Sequence, residues 1–336
     1  MMHIKGREIG NGQPPYVVAE IGANHGGSLA RCLETMTAAK RAGADAVKLQ
    51  AYTADTITLN SWRDEFWIKE GPWKGKRLWD LYKQCETPFE WFPRIADHAE
   101  EIDITWFASV FDRSSIDMLE KLECPAYKIA SFEIVDLPLI HYAASTKRPV
   151  IISTGMANRD EIYDAYWMAI DAGGKNPIKL HCVSAYPAKA SDYDLTTLTR
   201  DLYGVSDHTL GLEVPIAATA LGACMIEKHF CLEGVEGEDA AFSLKPVEFA
   251  RMTKAVLNTW AALQPKKSEG DVLHKPYRRS LFAVEDIKQG EAFTHDNVRS
   301  IRPGNGLRPD MIEAIVGKKA LRDIERGEPM TRDMFT

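Results

Sequence analysis

Val205-Ser206-Asp207-His208 and, after a Gly- and Ala-rich helical run, Ile226-Glu227-Lys228-His229-Phe230 decide the fold. Each histidine follows a short apolar run, 202–205 for the first and 224–226 for the second. Parallel neighbouring strands need a crossover, which is usually a helix, so two such runs joined by one helix read as consecutive parallel strands. The histidines then emerge side by side at the strands' carboxyl ends. Two imidazoles with carboxylates nearby suit a borderline divalent cation such as Mn²⁺, Co²⁺ or Zn²⁺. Two unrelated, hydrogen-bonded core histidines are the plain alternative.

Working outward, segments 17–22, 46–50, 106–109, 126–131, 149–154 and 178–184 read as six further strands. Helical patterns fill the gaps: 29–42 (capped by Ser28 and stopped at Gly43), 90–102, 114–122, 137–146, 159–172, 212–222 and 246–263. Eight βα units in about 250 residues predict an α/β fold, a closed (β/α)₈ TIM barrel. An open doubly wound sheet fits less well, because no GxGxxG follows the first strand. A hairpin with turns at Gly6 and Asn11-Gly12 precedes the barrel, which spans 1–263. Residues 264–276 form a polar linker, and 277–336 a small loop-rich domain with eleven basic and ten acidic residues. A domain of that size buries little core, so it is expected to dock on a barrel for support.

Composition excludes several classes. The chain is ordinary for a globular protein, 45% hydrophobic and 26% charged. It has no run of 18 apolar residues, and its first residues lack the apolar core of a signal peptide. A net charge of −7 argues against nonspecific nucleic-acid binding. Six scattered cysteines without a CxxC pair read as buried thiols in a reducing cytoplasm.

Catalytic groups of such barrels sit at the carboxyl ends of the strands. The residues falling there are Glu20, Lys48, Gln50, Ser109, Lys128, Ser131, Glu133, Ser153, Thr154, Tyr186, Ser206, Asp207, His208, Glu227 and His229. Buried lysines need an anion; Lys48 and Lys128 therefore point to a carboxylate or phosphate ligand, or else to salt bridges within the barrel. The Ser153-Thr154-Gly155 turn adds hydroxyls and backbone N–H groups suited to phosphate oxygens. Glu20 and Glu133 are acid/base residues, or only orient a lysine. Asp207 is expected to fix the tautomer of a ligating histidine. His25 touches substrate or caps the first helix, and His181 is expected to be a satisfied core residue. The aromatic run Trp62, Phe66, Trp67, Trp73, Trp79, Tyr82, Phe89 and Trp91 is expected mostly to pack a long excursion rather than wall a sugar pocket.

Several ordered motifs go further: Val18-Ala19-Glu20-Ile21-Gly22-Ala23-Asn24-His25, Gly43-Ala44-Asp45-Ala46-Val47-Lys48-Leu49-Gln50, Tyr127-Lys128-Ile129-Ala130-Ser131, Ser153-Thr154-Gly155, Ser206-Asp207-His208, Ile226-Glu227-Lys228-His229-Phe230 and Arg302-Pro303-Gly304-Asn305-Gly306. Together they resemble the sialic acid synthase family, which condenses phosphoenolpyruvate with an amino sugar; the C-terminal part resembles its antifreeze-like (SAF, β-clip) domain. Asn60-Ser61, Glu65-Phe66, Ile68-Lys69, Trp73, Leu78-Trp79-Asp80-Leu81-Tyr82 and Thr87-Pro88-Phe89-Glu90-Trp91 are similar to the branch that makes pseudaminic acid from a 2,4-diacetamido-2,4,6-trideoxy altrose. Asp239-Ala240 departs from the Asp-His of the neuraminate branch.

The resemblance implies a cytoplasmic transferase and a divalent metal on His208 and His229, Mn²⁺ first, with Mg²⁺ or Co²⁺ as alternatives. It implies phosphoenolpyruvate on Lys48, Lys128, Ser131, Ser153 and Ser206, with Ser109 and Gln50 close by. Glu20 and Glu133 would lie near the reacting carbons as catalytic residues with His208 and His229, and Thr154, Gly155 and Glu227 would bind substrate. Tyr186 and Asp239 would face an N-acylated amino sugar, and Arg302 would reach it from the partner in a domain-swapped homodimer. Neuraminate, legionaminate and spore-coat polysaccharide synthases are the alternatives within the family. A Schiff-base aldolase using Lys128 and a noncatalytic carbohydrate- or ice-binding protein lie outside it.

Overall fold

The computed structural model describes residues 1–198, 203–265 and 269–335. Residue 202 of the predicted seventh strand, 266–268 of the predicted linker and 336 of the predicted C-terminal domain lie outside them. The chain divides into two compact units, Met1–Gln264 and Pro265–Thr336.

The first unit opens with a hairpin, β1 (Met2–Ile4) against β2 (Arg7–Ile9), antiparallel with Met2 opposite Ile9. Its turn residues Lys5 and Gly6 both have positive φ, 45° and 81°, the backbone hand that matches strand twist in two-residue turns. Eight strands follow: β3 (Tyr16–Glu20), β4 (Ala46–Ala51), β5 (Thr105–Val110), β6 (Tyr127–Ile129), β7 (Val150–Ser153), β8 (Ile178–Cys182), β9 (Tyr203–Asp207) and β10 (Met225–His229). All pair in parallel, and β10 returns to β3 to close the barrel. The predicted fourth strand is shorter than expected. It ends at Ile129, and Ser131–Glu133 form a turn of 3-10 helix that bends the chain over the barrel mouth.

Around the barrel run α1 (Leu29–Arg41), then α2 (Ala54–Ile57) and α3 (Leu78–Cys85) in the long excursion after β4. They are followed by α4 (Phe92–Glu101), α5 (Arg113–Glu120), α6 (Leu137–Ser145), α7 (Arg159–Asp171), α8 (Glu213–Ala220) and α9 (Pro246–Leu263). Ser28 caps α1 by accepting the Arg31 N–H. α9 buries Phe249, Met252, Thr253 and Val256, a stripe at helical spacing; each apolar member contributes roughly 1.5–3 kcal/mol. Strands covered by helices outside and side chains inside are buried on both faces, which explains their near-continuous apolar reading. Alternation then sorts the exceptions. Val47 and Leu49 of β4 belong to the apolar core, while Lys48 and Gln50, on the opposite face, meet in the barrel's interior.

The second unit has a core of its own, including Leu281, Ile287, Phe293, Val298, Ile315, Ile324 and Met330. Within the predicted linker lie α10 (Glu269–His274) and a 3-10 turn (Lys275–Tyr277). β11 (Ser280–Ala283) pairs antiparallel with β12 (Val298–Ile301), and α11 (Ile312–Ile315) completes the unit. Among the described residues no helix is long and apolar enough to cross a membrane.

Candidate active site

The barrel's carboxyl-end mouth is built round Lys48. Its Nζ lies 2.9 Å from Glu227 Oε1, 3.3 Å from Glu20 Oε2 and 3.3 Å from Ser109 Oγ. Gln50 donates to Glu20 and Ser206 to Glu227, each at 2.9 Å, so one hydrogen-bonded chain crosses four strands. Burial alone would lower the Lys48 pKa, but Glu20 and Glu227 outweigh it and hold the ammonium charged. Burial raises Glu20, with Glu227 adding to the effect against Lys48. For Glu227 burial also pushes upward, yet Lys48 and Lys128 overcome it and keep this carboxylate ionised.

Lys128 is fully enclosed and, among the described residues, has no carboxylate in contact. It donates to the Ile129 carbonyl at 2.9 Å and to Ser153 Oγ at 2.6 Å. Burial brings it down to about 8, with Glu227 pulling the other way. Nearby, Ser131 Oγ and Cys182 Sγ are 2.8 Å apart, and the buried Ser184 hydroxyl has no partner among the described residues. Gly155 closes this recess: a Cβ there would stand 2.6 Å from Cys182 Sγ, 2.7 Å from Ser184 Oγ and 3.0 Å from Ser131 Oγ. Thr154 turns its hydroxyl to the Leu180 carbonyl instead.

The two imidazoles stand beside each other, ring centroids 5.5 Å apart. His208 Nδ1 is 2.7 Å from the Val183 carbonyl, which can only accept, so Nδ1 carries the proton and Nε2 keeps its lone pair. His229 Nδ1 is buried without a hydrogen-bond partner among the described residues; the Asp239 carboxylate is 3.8 Å away. Burial lowers both histidines, and for His229 the neighbouring His208 and Lys48 add to it, so both rings are neutral donors. Asp239, raised to about 7 by burial, accepts the Ala23 N–H. Tyr186 lies 4.5 Å from the His208 ring and Phe242 4.9 Å from His229; Trp73 stands against both aromatics.

Two expectations need correction. Asp207 does not orient a ligating histidine. It is the neighbour of His208 on a strand, so alternation sends it to the opposite face, where it pairs with Lys228 and caps Thr209. His181 is not a satisfied core residue: its Nε2 lacks a partner among the described residues, because it faces the edge of Tyr193. Most of the aromatic run packs as expected: Phe89 and Trp91 lie against the core and Tyr82 against Tyr52. Trp62 is 74% exposed and stacks on the Arg77 guanidinium, while Trp73 reaches the mouth. His25 touches neither open alternative cleanly; it is buried, accepts the Gly27 N–H, meets Thr87 and is lowered to about 4 by burial. Arg302 is an exposed residue of the second unit. Ser184, Cys182, Phe242 and Lys228 escaped the sequence reading; only Ser184, two residues past the end of β8, carried a positional signal.

Glu133 has one carboxylate oxygen unpartnered among the described residues, and burial raises it to about 7. The folded state thus keeps a proton that the unfolded chain releases near its ordinary value, so stability from this group is lost as pH rises through about 7. Denaturant unfolding should show Glu133→Gln gaining stability relative to the parent between about pH 4.5 and 7; parallel pH profiles would refute the assignment.

Lysines, carboxylates, hydroxyls and imidazoles dehydrated together at the carboxyl ends of parallel strands are the arrangement of a barrel enzyme acting on small molecules. The NeuB family model matches residues 35–268 and the SAF domain model residues 278–336. A pseudaminic acid synthase of Helicobacter pylori (strain ATCC 700392 / 26695) is 41% identical, covering 96% of this chain and 98% of that one. A pseudaminic acid synthase of Campylobacter jejuni subsp. jejuni serotype O:23/36 (strain 81-176) is 40% identical, covering 95% and 96%. Among solved structures, the spore coat polysaccharide biosynthesis protein spsE of Bacillus subtilis superposes with a TM-score of 0.68 at 30% identity, covering 100% of this chain and 99% of that one. The chain belongs to the NeuB family and carries a SAF domain.

Proposed function

We propose that the chain is a pseudaminic acid synthase, condensing phosphoenolpyruvate and water with the open-chain form of 2,4-diacetamido-2,4,6-trideoxy-L-altrose to give pseudaminic acid and phosphate. The observation that carries the reaction type is the lysine-and-hydroxyl recess around Lys128, Ser153 and Gly155 opening beside two neutral imidazoles. The acceptor rests on the two synthases that share about two fifths of their residues with nearly the whole chain.

Lys128, Ser131, Ser153 and Ser184 hold the phosphate, and Lys48 with Ser109 and Ser206 holds the enolpyruvyl end. C3 of the enol forms a bond to the aldehyde carbon, whose oxygen takes up a proton. Water adds at C2 and loses one, and the tetrahedral carbon expels phosphate by C–O cleavage as its hydroxyl gives its proton to the leaving phosphate and becomes the C2 keto oxygen. Charge gathers on the departing phosphate, where fixed cations are worth most. Glu133, half-ionised near neutral pH, is placed to hold or move a proton; Glu20, held by Gln50 and Lys48, orients the lysine. Tyr186, Asp239 and Trp73 wall the acceptor side.

The imidazoles fit a divalent cation: one buried ring nitrogen is unpartnered, the other ring's tautomer is set by a carbonyl, and both rings are neutral. His208 and His229 would hold it, Mn²⁺ first. When bound it supplies Lewis-acid polarisation of the acceptor carbonyl. Among the described residues no third histidine, cysteine or carboxylate completes a protein cage, leaving other positions to water and substrate. The same reading takes in a reducing cytoplasm, in keeping with six free cysteines, and a homodimer in which Arg302 reaches the acceptor of the partner.

Phosphate release, assayed with altrose-, mannose- and trideoxy-mannose-type acceptors with and without chelator, tests this. Turnover is expected with the trideoxy altrose and metal; a preference for N-acetylmannosamine would overturn the acceptor. Gly155→Ala should raise KM for phosphoenolpyruvate about tenfold or more by filling the recess, and an unchanged KM would move the phosphate elsewhere. The lowered Lys128 favours one rival, a Schiff-base aldolase. Borohydride trapping with pyruvate decides between them.

A further inference from the structure

Lys228 is a buried cation that the reaction above does not use. Its side chain and that of Asp207 are both 0% exposed, and the two residues are directly paired across β9 and β10. Besides Asp207, Nζ donates to the Thr209 carbonyl, to Thr209 Oγ1 at 3.2 Å and to the Gly211 carbonyl at 3.1 Å. Asp207 in turn accepts the Thr209 N–H at 2.9 Å and the Thr209 hydroxyl at 3.1 Å. The residues on either side of His208 are therefore both fastened to the residue that precedes His229. On the interior face the same register joins Ser206 to Glu227, and one step further the two imidazoles meet.

Stability alone gives no reason for such a pair. A buried ion pair is often no more stabilising than well-packed apolar residues of the same shape, because both charges lose their hydration. What the ammonium's three N–H groups supply, shared among these four acceptors, and apolar packing does not, is a fixed register between two strand ends.

We propose that Lys228 is a positioning residue: through Asp207 and Thr209 it fixes the chain on both sides of His208 relative to His229, and so sets the separation of the two imidazoles. The proposal rests on the reading that these rings hold a divalent cation. It concerns a side chain on the outer face of the barrel wall, touching neither substrate nor ion.

The test uses the full-length protein, freed of metal and titrated with Co²⁺, whose visible absorption reports coordination directly. Asp207→Asn/Lys228→Met removes both charges while keeping their shapes and an acceptor for the Thr209 N–H. The expected result is a Co²⁺ Kd raised about 10–100-fold and a lowered kcat, with KM for phosphoenolpyruvate and the metal-free unfolding midpoint close to the parent's. A purely structural role predicts the opposite split: a lower midpoint and an unchanged Co²⁺ Kd, and that unchanged Kd overturns the proposal. If the double variant does not fold, Thr209→Val, which deletes only the linking hydroxyl, decides in its place: a Kd raised several-fold supports the proposal and an unchanged one overturns it. A parent protein that binds no Co²⁺ would show that the metal reading itself has failed, taking this inference with it. A parent that binds Co²⁺ beside an equally tight variant would leave the metal reading standing and remove only this inference.

Discussion

Lys48→Met is expected to cost the barrel about 3–5 kcal/mol of stability and to reduce kcat/KM by about 10²–10³ or more. The stability loss follows from what would be left behind. Lys48 is 5% exposed and lies between two carboxylates that are 1% and 3% exposed. With the ammonium gone, Glu20 keeps only Gln50 and Glu227 keeps only Ser206 among the hydrogen-bond donors described. Two buried carboxylates facing one another do not both stay ionised, so at least one takes up a proton. A carboxyl whose folded pKa is raised contributes stability at low pH and loses it as pH rises. The deficit of Lys48→Met should therefore be small near pH 4 and grow toward neutrality. Denaturant unfolding at several pH values checks this. Adding Glu227→Gln should restore much of the stability without restoring turnover, separating the lysine's two roles. A single variant as stable as its parent at pH 7 would mean that the network does not exist as described.

How far the sequence carries this site depends on the kind of feature. The strands were legible because each is a short apolar run bounded by turn residues, and the histidines because they fall where such runs end. Asp207 was misread although the signal was available: neighbours on a strand point to opposite faces, so His208 facing the interior sends Asp207 outward. Lys228 could be matched to it only once the β9–β10 register was known. Phe242 and Trp73 come from loops whose paths no periodicity records. The Ser153-Thr154-Gly155 turn was legible and Ser184 carried a positional signal, but the Cys182 wall was not, because its closeness to Gly155 depends on how β7 and β8 approach. The helix α3 was hidden by its aromatic residues, which speak for burial and excursion as readily as for helix.

His229→Leu is expected to abolish condensation while leaving phosphoenolpyruvate binding nearly intact. The two outcomes separate because the groups do different work. In the proposed reaction lysines and hydroxyls grip the anion, whereas the imidazoles, beside Tyr186 and Phe242, face the acceptor. A Lewis acid is worth several kcal/mol of transition-state stabilisation, and each 1.36 kcal/mol is a factor of ten. Loss of the cation should then lower kcat by about 10²–10⁴, and prolonged chelation of the parent should reproduce the loss, with Mn²⁺ reversing it. Leucine suits the contrast: it fills much of the ring's volume in an aromatic-lined site, so a histidine that merely packs would be replaced at little cost in turnover. Calorimetric binding of phosphoenolpyruvate to the variant should stay within a few-fold of the parent, since no bond from His229 to that recess exists to be lost. Full turnover by His229→Leu, or by a chelated preparation shown to be free of divalent ions, would return the two rings to the status of packing residues. The unpartnered Nδ1 in the barrel mouth would then need another account.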